Sequence, residues 1–117
     1  MPMALKADVS RAAKAAGTDK PVDLVHLSTQ TLGDRELETQ VLSVFASQAG
    51  IYVKTWKAAE GAEARRRAAH SLKGAAKGIG AWNLAEIAER AEIPGYRDID
   101  ELEEEVARVC DYIRSLL

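Results

Sequence analysis

Residues 62–79 read AEARRRAAHSLKGAAKGI, between Gly61 and Gly80. Gly61 breaks the pattern before this stretch, and Gly80 closes it as a helix C-cap. At about 100° per residue, Ala68, Leu72, Ala75, Ala76 and Ile79 cluster on one side of the helix it predicts. Arg66, Lys73, Gly74 and Lys77 fall within roughly 60° of His70 on the opposite side, with Glu63 and Arg67 completing that polar face. The apolar stripe must face a core, so His70 sits at the middle of the solvent face. A helix of this kind cannot bury its stripe alone, and the flanking sequence has to supply helical partners.

It does so on both sides. Val22, Leu24, Val25, Leu27 and Leu32 predict a short apolar helix after Pro21, stopping at Gly33. Asp34 is placed to cap a long helix carrying Leu37, Val41, Val44, Phe45, Gln48, Tyr52 and Trp56 near a three-to-four spacing. Downstream, residues 82–93 place Leu84, Ile87, Ala88 and Ala91 on one face before Pro94-Gly95. A last helix from Asp98 carries Leu102, Val106, Val109, Ile113 and Leu116 at four- and three-residue steps. No segment alternates like a strand, and no Asn-Gly or Asp-Gly turn joins two such runs. Short connections between long amphipathic helices predict an all-α, up-down antiparallel four-helix bundle with an additional short N-terminal helix. Residues 21–117 form that bundle. Residues 1–20 are expected as a tail, or as a short helix over 4–16 if they pack on the rest.

The whole chain has 117 residues, 47% apolar and 29% charged, which suits one ordinary globular domain. Sixteen Lys and Arg against eighteen Asp and Glu give a formal charge of −2, so a global basic footprint for nucleic acid is absent. The charge is unevenly spread, however: residues 62–79 hold five basic residues against Glu63, whereas residues 98–117 hold seven acids against Arg108 and Arg114. The single Cys110 fits a reducing cytoplasmic compartment and a small buried hydrophobe. No apolar run approaches a membrane span, and the N-terminal residues lack the apolar region of a secretory signal. His26 and His70 have no carboxylate or cysteine companions at metal-binding spacing, which argues against a metal-dependent enzyme.

Two features separate the His70 face from a merely solvated one. Lys73 and Lys77 lie three and seven residues from His70, on the same stripe. Gly74 lies on that face too, where glycine costs roughly 1 kcal/mol relative to alanine. Clearance beside the ring, letting another macromolecule approach, is the compensation this suggests. An imidazole is substantially unprotonated near neutral pH and can attack phosphorus, and nearby ammonium groups offset the charge of the phosphoryl group it receives.

The octapeptide Ala69-His70-Ser71-Leu72-Lys73-Gly74-Ala75-Ala76 resembles the signature of histidine-containing phosphotransfer (HPt) domains. The likeness continues through Ile79-Gly80-Ala81, Leu84 and residues 89–92. Upstream it takes in residues 33–37 and the region of Phe45, covering about residues 22–116 in all. Ala75 and Ala76 depart from a frequent serine. The resemblance implies a cytoplasmic, monomeric carrier in a two-component phosphorelay, bacterial in type. His70 would take a phosphoryl group from the aspartate of one receiver domain and pass it to another, in response regulators and hybrid sensor kinases. It further implies Lys73 and Lys77 as phosphate-stabilising groups, Gly74 as the close-approach residue, and Glu92 or Glu89 as the side chain orienting the imidazole. No cofactor is implied for this chain, because magnesium and the aspartate belong to the receiver. No G-x-x-x-x-G-K-[ST] loop appears, so the chain is expected to be a carrier and not a kinase.

The other marked residues have plainer readings. The three arginines at 65–67 are a solvated helix start, with Arg66 and Arg67 as candidates for docking an acidic receiver. Phe45, Tyr52 and Trp56 are core, and His26 is partly buried or on the surface. Trp82 either covers the bundle end or rims the docking site, and residues 101–105 are a solvated acidic turn. The rival to a carrier is an adaptor bundle that docks receiver domains without taking phosphate.

Overall fold

The structure, a computed structural model of the chain, describes residues 20–117; the expectation for residues 4–16 lies outside them. Five helices follow one another: α1 (Leu24–Gln30), α2 (Arg35–Ala58), α3 (Ala62–Ile79), α4 (Trp82–Ala91) and α5 (Ile99–Leu116). No strand occurs among the described residues. Three helices start on an aspartate whose carboxylate accepts a backbone N–H three residues on: Asp23 from His26, Asp34 from Leu37 and Asp98 from Glu101, each at 3.0 Å. α3 ends as expected on Gly80, left-handed at φ +78°, while the Ala81 N–H reaches back to the Ala76 carbonyl at 2.8 Å.

α2 packs against α3 and α5, and α4 packs against the same two, so the four long helices close an antiparallel ring with α1 laid across α2 and α3. Leu27, Leu72, Leu84, Leu102, Val109 and Ile113 fill its centre. α3 packs against α4, and on these two helices Ala69, Ala76, Ala85, Ala88 and Ala91 are all buried. Small residues let the two axes approach closely, and this brings the end of α4 beside the exposed face of α3.

Several expectations shift in detail. The buried face of α2 is Leu42, Phe45, Ala49, Val53 and Trp56, with Tyr52 partly buried. Leu37, Val44 and Gln48 are exposed, because Ala49 and Leu42 complete a stripe rotated away from them. α1 stops at Gln30 rather than at Gly33. Thr31 turns its hydroxyl onto the Leu27 carbonyl at 2.9 Å, and Leu32 enters the left-handed region at φ +56°, fully outside the core. α4 ends at Ala91, two residues early, as Ile93 N–H closes a turn on the Arg90 carbonyl. Leu116 is exposed. The acidic start of α5 is only partly solvated: Glu105 is buried and ion-paired with Arg108 at 3.0 Å.

Candidate functional site

His70 projects from the middle of α3 with 62% of its side chain exposed. The helical spacing of the sequence expects it on this open face, and the structure agrees. Its Nδ1 turns towards Glu92, the residue just after α4, at 3.4 Å from Oε1. That is longer than an ordinary hydrogen bond. The other oxygen, Oε2, lies 2.8 Å from the Lys73 ammonium, and Glu89 Oε1 stands 3.7 Å from the same ammonium. Lys73 and Glu92 side chains are each only 17% exposed, so their pairing is the shielded part of the site.

Glu92 is therefore the carboxylate that reaches the imidazole, and Glu89 pairs with Lys73 alone among these groups. Lys73 does not stand free beside the ring. Its close ion pair with Glu92 raises its pKa above the ordinary value, and the same pairing is the first cause of the depressed Glu92 carboxyl. Lys77 is exposed further along the stripe. Arg66 and Arg67 sit on the same face but share Glu63, at 2.8 and 3.6 Å. The basic helix seen in sequence is thus partly neutralised in space by Glu63, Glu89 and Glu92. Two of those acids come from a different helix.

The depressed Glu92 carboxyl gives a pH expectation. A group whose folded pKa lies below its ordinary 4.5 contributes stability that is complete above that value and lost as pH falls through the folded one. Thermal denaturation from pH 5 to 3 should therefore show a steeper loss in the wild type than in Glu92→Gln. Parallel curves would mean that the Lys73–Glu92 pair carries no net stability.

Gly74 is exposed, and a Cβ built on it would meet no atom within 4 Å; the same holds for Gly78 one turn on. Nothing inside the fold demands glycine at either position. Beyond them lies a feature the sequence reading missed. Leu37, Val44 and Ile51 are all exposed on α2, seven residues apart. α5 occupies one flank of α2, where Lys57 meets Glu103 at 3.2 Å and Cys110 approaches the Ala46 carbonyl. At 100° per residue the stripe lies roughly 120–160° round from the buried face, on the outer surface of α2 and away from the α5 flank. The seven-residue repeat was the available signal, hidden because Val44 and Leu37 also fit a core-facing spacing.

Trp82 covers the bundle end. Its indole N–H donates to Asp23 Oδ2 at 3.0 Å, and the partly buried His26 ring meets it edge-on at 4.7 Å. Partial burial works against the Asp23 charge, yet the Trp82 and His26 N–H donors hold its pKa below the ordinary value. Cys110 is buried. Among the described residues no group of three His, Cys, Asp or Glu is placed to hold a metal ion, and no helix is long and apolar enough to cross a membrane.

No curated protein and no solved structure matches the chain. The family model for the Hpt domain does, over residues 37–115, a span that runs from the start of α2 to the end of α5 and encloses His70, Lys73, Gly74 and Glu92. With the all-helical bundle and the exposed histidine already in place, that match makes the chain a member of the Hpt domain family, a phosphorelay-type histidine phosphotransfer module.

Proposed function

We propose that His70 is the phosphoryl acceptor and donor of this module, cycling between free and phosphorylated imidazole as it meets the aspartates of two receiver domains. The observation that carries this reading is the exposed His70 ring with Nδ1 turned to a carboxylate that is itself held by Lys73. A proton kept on Nδ1 leaves the Nε2 lone pair facing solvent. Nε2 attacks the phosphorus of an aspartyl phosphate, the N–P bond forms, and the O–P bond breaks with its electron pair returning to the aspartate carboxylate. No proton need leave the ring. The imidazolium so formed is offset by Glu92. The phosphoryl oxygens have Lys77 close along the stripe and the unused N–H donors of Lys73. Transfer to a second receiver reverses these steps. Catalysis here is positioning and charge stabilisation, with the divalent cation and the aspartate belonging to the receiver. The chain then acts as a carrier and needs no nucleotide site of its own.

The receiver docks over α3 and reaches the outer face of α2. Leu37, Val44 and Ile51 provide apolar contact, and the bare backbone at Gly74 and Gly78 provides clearance beside the ring. Incubation with a receiver domain phosphorylated by a small phosphodonor should leave acid-labile, alkali-stable phosphate on this chain. Co-sedimentation without any such label would leave only the adaptor reading. Gly74→Gln meets open space, so it should fold with unchanged or slightly raised stability. Its transfer rate should fall about tenfold at limiting receiver, as a side chain enters the approach path. An unchanged rate would remove clearance as the reason for the glycine.

A further inference from the structure

Trp56 lies on α2, fourteen positions before His70, and is buried. Its indole is nevertheless aimed. Nε1–H donates to the Ala91 carbonyl at 3.1 Å, across 35 residues of sequence. The ring is gripped on two sides, by the Arg65 guanidinium 5.2 Å from its centroid and by Tyr96 meeting it edge-on at 5.9 Å. Tyr96 is in turn anchored through its hydroxyl to the Asp98 carbonyl at 2.7 Å and to Glu101 at 2.9 Å.

Ala91 is the last residue of α4, and a helix leaves its final carbonyls without partners inside the helix. The next two N–H groups turn elsewhere, Glu92 to the Glu89 carbonyl and Ile93 to that of Arg90. The indole thus supplies the bond that holds the last carbonyl of α4. The following residue is Glu92. Its Oε1 stands 3.4 Å from His70 Nδ1, already beyond the roughly 2.7–3.2 Å of a good hydrogen bond. A further drift of about half an ångström, the tolerance typical of a working site, would end the contact.

We infer that Trp56 is a positioning residue for His70: by holding the Ala91 carbonyl it places the Glu92 carboxylate against Nδ1 and so selects the ring nitrogen that stays free. The inference rests on His70 being the reacting group. Its test nevertheless reads the unphosphorylated imidazole, so failure of the wild type to take phosphate and failure of this inference are separate results.

The measurement is the tautomer balance of His70, from long-range ¹H–¹⁵N spectra of the full chain with the ring neutral. Glu92→Ala should shift the balance away from Nδ1–H towards Nε2–H. Trp56→Phe keeps a ring but loses the donor, and should move the balance at least half as far in the same direction. It should also slow uptake from a phosphorylated receiver about three- to tenfold, without changing the receiver concentration needed for half-maximal rate. Tyr96→Phe keeps its ring and should leave the balance in place. Should Trp56→Phe fail to fold, Trp56→benzothienylalanine replaces the N–H by sulfur at nearly constant shape and is read in the same way. A wild-type balance in the folded Trp56 variant overturns the inference. So does an unmoved balance in Glu92→Ala, or an equal shift in Tyr96→Phe, which would mark general loosening.

Discussion

Replacing His70 by glutamine is expected to abolish phosphate uptake from a phosphorylated receiver while leaving the protein folded. The two parts have separate causes. Glutamine matches the ring in length and polarity at a site that is 62% exposed, and surface substitutions of this kind stay within about 0.5 kcal/mol. The melting temperature should therefore move by no more than a few degrees. Chemically, a carboxamide nitrogen has no basic lone pair to offer phosphorus, and no neighbour can replace it. Lys73 is held protonated by Glu92, and His26 stands against Trp82 at the α1 end of the bundle. Residual label should thus be at background, compared with stoichiometric label on the wild type. The checks are acid-labile, alkali-stable phosphate and a thermal melt on the same preparation. Normal labelling of a folded His70→Gln protein would sink the assignment of His70.

What could be read from sequence follows from the range of each interaction. α3 was legible throughout because its bounding glycines, its apolar stripe and its polar face all lie within the contiguous residues 61–80. Asp34 and Asp98 were legible as helix starts for the same local reason. The position of His70 on the open face followed from helix geometry alone. What Lys73 touches did not, since Glu89 and Glu92 arrive from α4 and depend on how closely the alanines let the helices pack. The resemblance pointed to both acids, and only the packing separates Glu92, against the ring, from Glu89, against the lysine. On α2, apolar residues outnumber the positions a core can accept, so spacing alone put Leu37 and Val44 on the stripe that Leu42, Ala49 and Val53 occupy in the fold. Trp56 read as core and is core. Its hydrogen bond to Ala91 is a tertiary fact that no local pattern encodes.

Among the described glycines, Gly80→Ala should be the most damaging single-methyl change, in contrast to the permissive Gly74. Two costs combine. Gly80 has φ +78°, where an L side chain costs roughly 1–2 kcal/mol. A Cβ there would also stand 2.9 Å from both the Cβ and the carbonyl oxygen of Asp23 and 3.3 Å from its nitrogen. Most of what it meets is backbone, which cannot swing aside. Moving Asp23 strains the Asp23 N–H bond to the Gly80 carbonyl at 2.9 Å, the cap on His26 and the bond from Trp82, which together tie α1 to the α3–α4 corner. With overpacking adding about 1–3 kcal/mol, a total of about 2–5 kcal/mol is expected. In a domain of this size that is a fall in melting temperature on the order of 10–20 °C. Gly80→Asn separates the terms, because asparagine tolerates the left-handed conformation but still carries the Cβ. If the clash with Asp23 dominates, both variants lose similar stability; if backbone strain dominates, asparagine recovers most of it. A loss below about 1 kcal/mol in Gly80→Ala would mean that Asp23 yields freely, and that the α1 corner is not the rigid junction its bonds describe.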